Sequence, residues 1–319
     1  MKRIAILTSG GDAPGMNANV RAVVRTGRHY GLEVYGVIGG YSGLIEGNFI
    51  KLDTAQTANI ISKGGTILKT SRSKEFMQTG GRMAAINKLR NAGIDGLVVC
   101  GGDGTFHGAH ALWVEHKFPV VGTPGTIDND LFGTDYTIGY DTAINTCAEA
   151  IDKIRDTAES HGRVFIIEVM GRHAGFIAMD VGVSCGAEFI AVPETVTNTD
   201  ILYQRILENG KNKRTIVIVG EGDELGDAHQ LSLILKEKYD ISSHVTILGH
   251  IQRGGSPTVR DRVLASHLGV EAVKALLDGK TDVMVGEINH HIVITPFEET
   301  WMRRKPLRDY MIELSDILV

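Results

Sequence analysis
The 319-residue chain is poor in cysteine, poor in proline and has no excess of base, and each shortage excludes something. Three cysteines, Cys100, Cys147 and Cys185, are an odd number set far apart among apolar or small residues. They make no disulfide framework and read as reduced, buried thiols. Lys and Arg number 33 against 38 Asp and Glu, a formal charge of −5 before the 12 histidines are counted. That balance argues against a general binder of nucleic acid or of anionic membranes, so neither partner is expected. No apolar run approaches the ~18 residues of a membrane span. Met1-Lys2-Arg3 looks like a signal n-region, but Ile4-Ala5-Ile6-Leu7 gives way at once to Thr8-Ser9-Gly10-Gly11-Asp12, too soon for a secretory h-region. A cytoplasmic protein is expected. Seven prolines, with no low-complexity, Pro/Ser-rich or long single-charge segment, leave no visible linker.

What the chain does have is glycine: 39 residues, roughly 12% where about 7% is ordinary. Hydrophobic and charged fractions of 43% and 22% are globular values, and the length predicts about two domains at roughly 150 residues each. The glycines follow short apolar runs. Ile4-Ala5-Ile6-Leu7 leads into Gly10-Gly11, Gly96-Leu97-Val98-Val99-Cys100 into Gly101-Gly102, Val120-Val121 into Gly122 and Gly125, and Ile216-Val217-Ile218-Val219 into Gly220 and Gly222. Between such runs lie segments of helical period, the clearest over 140–159, where Ile144, Cys147, Ala148, Ile151 and Ile154 form one stripe. Apolar strands alternating with amphipathic helices predict an α/β fold: two Rossmann-like lobes with mainly parallel sheets, sharing the chain through crossovers. Ligands of such sheets bind beyond the carboxyl ends of the strands, where this chain places its glycines.

Three of these strand ends carry candidate chemistry. In Thr8-Ser9-Gly10-Gly11-Asp12-Ala13-Pro14-Gly15-Met16-Asn17, backbone amides without a Cβ in the way, at a helix N-terminus, suit phosphate. A plain turn capped by Asp12 would look similar. In Gly101-Gly102-Asp103-Gly104-Thr105 the acid can reach a Mg²⁺ carried by polyphosphate, or can serve as N-cap of the following helix. His107 and His110 have the spacing of zinc ligands, but nothing nearby completes a set. In Pro124-Gly125-Thr126-Ile127-Asp128-Asn129-Asp130, an extended loop would point Asp128 and Asp130 the same way. A carboxylate there can accept the proton of an attacking hydroxyl. Arginines in Thr70-Ser71-Arg72-Ser73, Gly171-Arg172-His173 and Gln252-Arg253-Gly254 suit phosphate oxygens, so two anionic ligands are expected.

Five ordered segments, LTSGGDAPGMNA from Leu7, GGDGT from Gly101, PGTIDND from Pro124, VMGRHAG from Val169 and GHIQRGGSP from Gly249, closely resemble the bacterial-type ATP-dependent 6-phosphofructokinases over nearly the whole chain. The resemblance implies phosphorylation of fructose 6-phosphate at its 1-hydroxyl by ATP with Mg²⁺, in a homotetramer. It implies a larger ATP-binding lobe of residues 1–139 plus about 252–305, and a smaller substrate-binding lobe of residues 140–251 plus about 306–319. It places Gly11, Arg72, Ser73, Gly102, Asp103, Gly104 and Thr105 around ATP, with Asp103 serving the metal. Asp128 matches the general base, with Thr126 beside it, and Arg172 the arginine that steadies the transferring phosphoryl group. Ile127, Asp130, Met170, Gly171, Glu221, His250, Ile251, Gln252 and Arg253 match substrate contacts, joined by Arg163 and His244 from a neighbouring subunit. Arg21, Arg25, Arg155, Gly186, Ala187, Glu188, Lys211 and Lys213 match an effector pocket for ADP or phosphoenolpyruvate, although a solvated basic face would also put Arg21 and Arg25 four residues apart.

Pyrophosphate-dependent relatives typically carry Asp where Gly104 stands and Lys where Gly125 stands, so the two glycines imply ATP. GGDGT also occurs in lipid and NAD kinases, and a nucleotide sensor could keep such a fold; the other four motifs, and intact Asp103, Asp128 and Arg172, speak against each in turn. His244 stands where the family usually has arginine, and Phe176 where Asp is common. An imidazole of reference pKa about 6.5 is mostly neutral at pH 7, so weaker sugar-phosphate binding that improves toward acid pH is expected.

Overall fold
The structure, a computed structural model, describes residues 1–210 and 214–318. Lys211 and Lys213 of the expected effector set lie outside the described residues. In chain order the elements are β1 (Arg3–Thr8), α1 (Met16–His29), β2 (Glu33–Val37), α2 (Gly40–Glu46), β3 (Phe49–Leu52), α3 (Thr79–Asn91), β4 (Gly96–Gly101), α4 (Asp103–His116), β5 (Val120–Pro124), α5 (Tyr140–His161) and β6 (Val164–Val169). They continue with α6 (Phe176–Ser184), β7 (Phe189–Ala191), α7 (Thr199–Asn209), β8 (Thr215–Gly220), α8 (Ala228–Tyr239), β9 (Ser243–Ile247), a 3₁₀ turn (Gly249–Arg253), α9 (Val259–Leu277), β10 (Val283–Ile288), β11 (His291–Pro296), α10 (Phe297–Met302) and α11 (Asp309–Leu318).

Two compact units share the chain: Met1–Ile127, Leu131–Thr142 and Arg253–Lys305 form one, and Asp128–Asp130, Ala143–Gln252 and Pro306–Val319 the other. The first unit holds a seven-stranded sheet in the order β11-β10-β5-β4-β1-β2-β3. Its five inner strands are parallel, and β3 and β11 close the edges antiparallel. The central strands β1, β4 and β5 are buried on both faces, as a parallel sheet under helices requires, which is why β1 and β4 are continuous apolar runs rather than alternating ones. The edges read differently. Exposed Lys51 blunts β3 and pairs with Glu33, while Asn289 and His290, both at positive φ, make the two-residue turn into β11. The second unit holds a parallel sheet in the order β7-β8-β6-β9. Val164, Ile166, Val217 and Val219 form its core with Leu202, Leu231 and Leu235 from α7 and α8, and α11 packs on α6.

All three cysteines are free and buried. Burial pushes the Cys100 and Cys147 thiols up to about 12, so neither is a nucleophile at neutral pH. Among the described residues no helix is long and apolar enough to cross a membrane.

Candidate functional site
In the first unit, β1 leads through α1 to β2 on one side, whereas β4 lies on the other. That reversal opens a crevice at the carboxyl ends of β1 and β4, the position at which doubly wound sheets bind ligands. The loops 9–15 and 125–127, and Gly102 at the junction of β4 and α4, leave the carboxyl ends of three adjacent strands there. Ser9 N donates to Cys100 O at 3.0 Å, and Thr70 Oγ1 to Gly10 O at 2.7 Å, so the first glycine turn is tied to its neighbours.

The helices that open on this edge lack side-chain caps. The N-cap of α1 is Gly15 and that of α4 is Gly102, whereas Asn198, Asp227 and Thr258 cap α7, α8 and α9. Asp12 therefore does not cap α1, and Asp103 is the first residue of α4 rather than its cap. Uncapped first-turn amides are donors available to an anion. Asp103 is 47% exposed at its side chain, with Oδ1 3.2 Å from His107 Nε2. A half-exposed carboxylate at a strand end fits a hard cation such as Mg²⁺, which takes one or two carboxylates and completes its shell with phosphate and water. Thr105 is buried, and among the described residues its Oγ1 has no hydrogen-bond partner. Tyr41, stacked on Phe76, donates its hydroxyl to Thr105 O at 2.5 Å and fixes that turn from beneath. Arg72 is exposed, and Ser73 Oγ accepts from Phe76 N at 3.2 Å. His107 stacks on Trp301 with ring centroids 3.8 Å apart, and His110 bonds Asp282 at 2.9 Å, so both histidines serve the surface of α4.

Gly104 and Gly125 differ. Among the described residues a Cβ on Gly104 would meet nothing within 4 Å, whereas one on Gly125 would lie 2.7 Å from Cys100 Sγ and 3.2 Å from Gly101 N. The first is an absence that leaves room; the second is demanded by close packing. A Cβ on Gly11 would lie 2.1 Å from Arg253 Nη1. Arg253, expected at the sugar phosphate, thus stands in the first unit against the β1 loop, its Nη1 3.4 Å from Asp12 O.

In the second unit, the loops after β8, β6 and β9 leave one edge of the sheet and carry Glu221, Met170–Arg172 and His250–Gln252. Asp128 is 4% exposed, and Arg172 Nε lies 3.7 Å from its Oδ2. Arg172 has φ 56, a left-handed conformation that costs a residue with a Cβ about 1–2 kcal/mol. A hydrogen bond holds it there, from its N–H to Glu221 Oε2 at 3.3 Å, and its carbonyl lies where a Cβ on Gly222 would come within 1.9 Å. Only glycine fits at 222. Gln252 is 0% exposed, its Oε1 accepting from Met170 N at 3.1 Å and Cys147 Sγ at 3.2 Å while Nε2 donates to Gly249 O at 3.0 Å. It braces two of the loops. His250 and Ile251 are exposed on the 3₁₀ turn.

The expected extended loop is not kept. Asn129 adopts φ 55, so the two-residue alternation that would align Asp128 with Asp130 is broken; Asp128 is buried and Asp130 half-buried. Thr126 and Ile127 belong to the first unit and are buried. Arg163 and His244 lie at the opposite end of β6 and β9 from Met170 and His250. The six-residue strand β6 separates those ends by roughly 20 Å. Of the effector set, Arg21 and Arg25 lie on α1. In the second unit Arg155 Nη2 bonds Gly186 O at 3.4 Å, Ala187 is buried, and Glu188 Oε2 accepts from Ile216 N at 2.6 Å. Glu194, not anticipated, accepts from Gly175 N at 2.9 Å at the start of α6, where Phe176 is buried.

A family model described as Phosphofructokinase matches residues 3–276. Over 321 residues the chain is 56% identical to the ATP-dependent 6-phosphofructokinase 1 of Thermus thermophilus, covering 100% of this chain and 99% of that protein. It is 51% identical to the ATP-dependent 6-phosphofructokinase of Cytophaga hutchinsonii, covering 100% and 98%. Among solved structures it is similar to Pichia pastoris phosphofructokinase in the T-state, with a TM-score of 0.86 at 39% identity; 94% of this chain is covered, and 35% of that longer one. A pyrophosphate-dependent phosphofructokinase from Marinobacter aquaeolei, 22% identical with a TM-score of 0.85 over 100% of this chain and 92% of that one, shares the fold.

Proposed function
The chain belongs to the phosphofructokinase family, and on that premise we infer that it is an ATP-dependent 6-phosphofructokinase, phosphorylating fructose 6-phosphate to fructose 1,6-bisphosphate in glycolysis. The buried Asp128 beside Arg172 is the observation that carries the reading. The Asp128 carboxylate takes the proton of the sugar 1-hydroxyl, and that oxygen bonds the γ-phosphorus as the bond to the bridging oxygen breaks and ADP leaves. Arg172 offsets negative charge on the transferring group with its fork of donors. Gly11, Gly102, Gly104 and Thr105, with Arg72 and Ser73, form the ATP site. Asp103 would hold Mg²⁺, which when bound neutralises charge on the phosphates. Release of ADP that depends on fructose 6-phosphate tests the reaction; turnover with pyrophosphate but not ATP would overturn it.

The open space at Gly104 favours ATP as donor. Gly104→Asp should fold, because its Cβ meets no neighbour and an acid suits the first turn of α4. It should raise the KM for ATP about tenfold through repulsion of the phosphates, equivalent to about 1.4 kcal/mol. An unchanged KM in the folded variant would remove the donor argument.

Arg163 and His244, roughly 20 Å along the strands from Met170 and His250, support a sugar-phosphate site completed by another copy of the chain; the homotetramer and the cytoplasmic location rest on the family resemblance. Arg21, Arg25, Arg155, Gly186, Ala187 and Glu188 would take ADP or phosphoenolpyruvate as effector. An imidazole at 244 lacks the fork of donors that arginine offers a phosphate, so His244→Arg should lower the KM for fructose 6-phosphate severalfold. An unchanged KM in that variant would sink the assignment.

A further inference from the structure
Asp261, on the first turn of α9, is 1% exposed and has no part in the chemistry above. Its Oδ1 accepts from Gly139 N at 2.8 Å, and its Oδ2 from Thr142 N at 2.8 Å and Thr142 Oγ1 at 2.5 Å. It therefore caps the first turn of α5, a helix far away in sequence. The service is returned. Thr142 Oγ1 accepts from Thr258 N at 3.0 Å, and Thr258, the N-cap of α9, accepts from Asp261 N at 3.3 Å and donates to Asp141 Oδ2 at 2.6 Å. The N-termini of the two helices thus satisfy each other's free amides.

The segment held in this way, residues 137–142, lies against the strand end that precedes the catalytic loop. Ile138 N donates to Pro124 O at 2.8 Å, and Ile138 pairs with Gly125 in an isolated parallel bridge. Thr137 Oγ1 donates to Thr126 O at 2.6 Å. Thr126 also lies beside the α4 cap, close enough that a Cβ on Gly102 would come within 3.5 Å of Thr126 Cβ. One residue beyond Thr126 and Ile127, the chain delivers Asp128.

We propose that Asp261 is a positioning residue for phosphoryl transfer, holding residues 137–142 so that they set the backbone from which Thr126 and then Asp128 are presented. The proposal rests on the roles given above to Thr126 and Asp128. Physical chemistry argues that stability alone would not keep a carboxylate there. Burial pushes its pKa up to about 6, against the bonds from Thr142 and Gly139 and with help from the Asp141 charge. Ionised at neutral pH, the buried carboxylate carries a desolvation cost that its three hydrogen bonds only partly offset. Asparagine keeps the shape but adds a donor where three donors converge, so one N–H of Gly139 or Thr142 loses its acceptor.

The test compares Asp261→Asn, Thr142→Ser, Thr142→Val, Thr137→Val and the double variant Asp261→Asn/Thr137→Val with the full-length protein. It reads kcat, both KM values and the thermal midpoint, assaying well below each midpoint. Asp261→Asn is expected to keep the KM for ATP and lose kcat by about tenfold to a hundredfold, the scale of a small misplacement of reacting groups. Thr142→Val should lose less, and Thr142→Ser should restore the full rate. Thr137→Val, which leaves the two caps intact, should also lose kcat, and the double variant should be no slower than its slower parent. A lowered midpoint in Asp261→Asn with an unchanged kcat, or independent effects multiplying in the double variant, overturns the proposal. If Asp261→Asn does not fold, Thr137→Val decides alone, and a full rate there overturns it. Asp128→Ala, run alongside, separates the two levels: a normal kcat in that variant removes the assigned base itself, whatever Asp261 does.

Discussion
Asp128→Asn is expected to leave a folded, ATP-binding protein whose kcat is lower by about a hundredfold to ten-thousandfold, the usual contribution of a positioned general base. The amide matches the carboxylate in shape, so the buried site that encloses Asp128 need not rearrange. It cannot accept a proton from the sugar hydroxyl at neutral pH. Donor binding should survive because Gly11, Gly102, Asp103, Gly104 and Thr105 belong to the first unit, whereas Asp128 belongs to the second. Calorimetric titration with MgATP, beside steady-state rates with both substrates, checks both halves of the expectation. A kcat within a few-fold of wild type would show that the base is elsewhere; loss of MgATP affinity would show that Asp128 serves the nucleotide.

How far such roles are legible in the amino-acid sequence depends on how local the determining contacts are. The parallel sheets are visible because strands buried on both faces must be continuous apolar runs, as in Ile4–Leu7 and Ile216–Val219. The antiparallel edges are not, because β3 is four residues, two of them exposed, whose role comes from pairing with β2. Strand-end glycines locate the candidate phosphate loops, yet Asp12 and Asp103 could each have been a helix cap, and the backbone at Gly15 and Gly102 rules that out. Gly104 and Gly125 are one letter with opposite surroundings, open space in one case and a buried thiol in the other. The alternation argument for Asp128 and Asp130 assumes extended backbone, which Asn129 abandons. The bracing roles of Asp261 and Gln252 are not legible in the sequence because the side-chain oxygens of both accept from groups 82 to 122 residues away, and no local pattern marks a buried polar group as satisfied.

Arg172 allows the chemistry and the fold to be separated by one pair of variants. Arg172→Ala and Arg172→Gly remove the same guanidinium from beside Asp128, and each should lower kcat by about a hundredfold to a thousandfold, the scale of losing one donor aimed at developing charge. Arg172→Lys should recover only part of the loss, since an ammonium lacks the planar fork. The two truncations should part company in stability. At φ 56 alanine keeps the backbone penalty that arginine carries, while glycine relieves about 1–2 kcal/mol of it. Glycine gives back about 0.4–1 kcal/mol through the greater freedom of its unfolded chain. The glycine variant should therefore be at least as stable as the alanine variant, by up to about 1.5 kcal/mol after that subtraction. The arginine side chain is 49% exposed, so its own removal should alter stability little beyond this difference. Denaturant midpoints and kcat measured on the same three proteins decide the matter. A glycine variant less stable than the alanine one would mean that the left-handed turn carries no strain. A truncation that keeps the wild-type rate would mean that the charge of the transferring group is met by another residue.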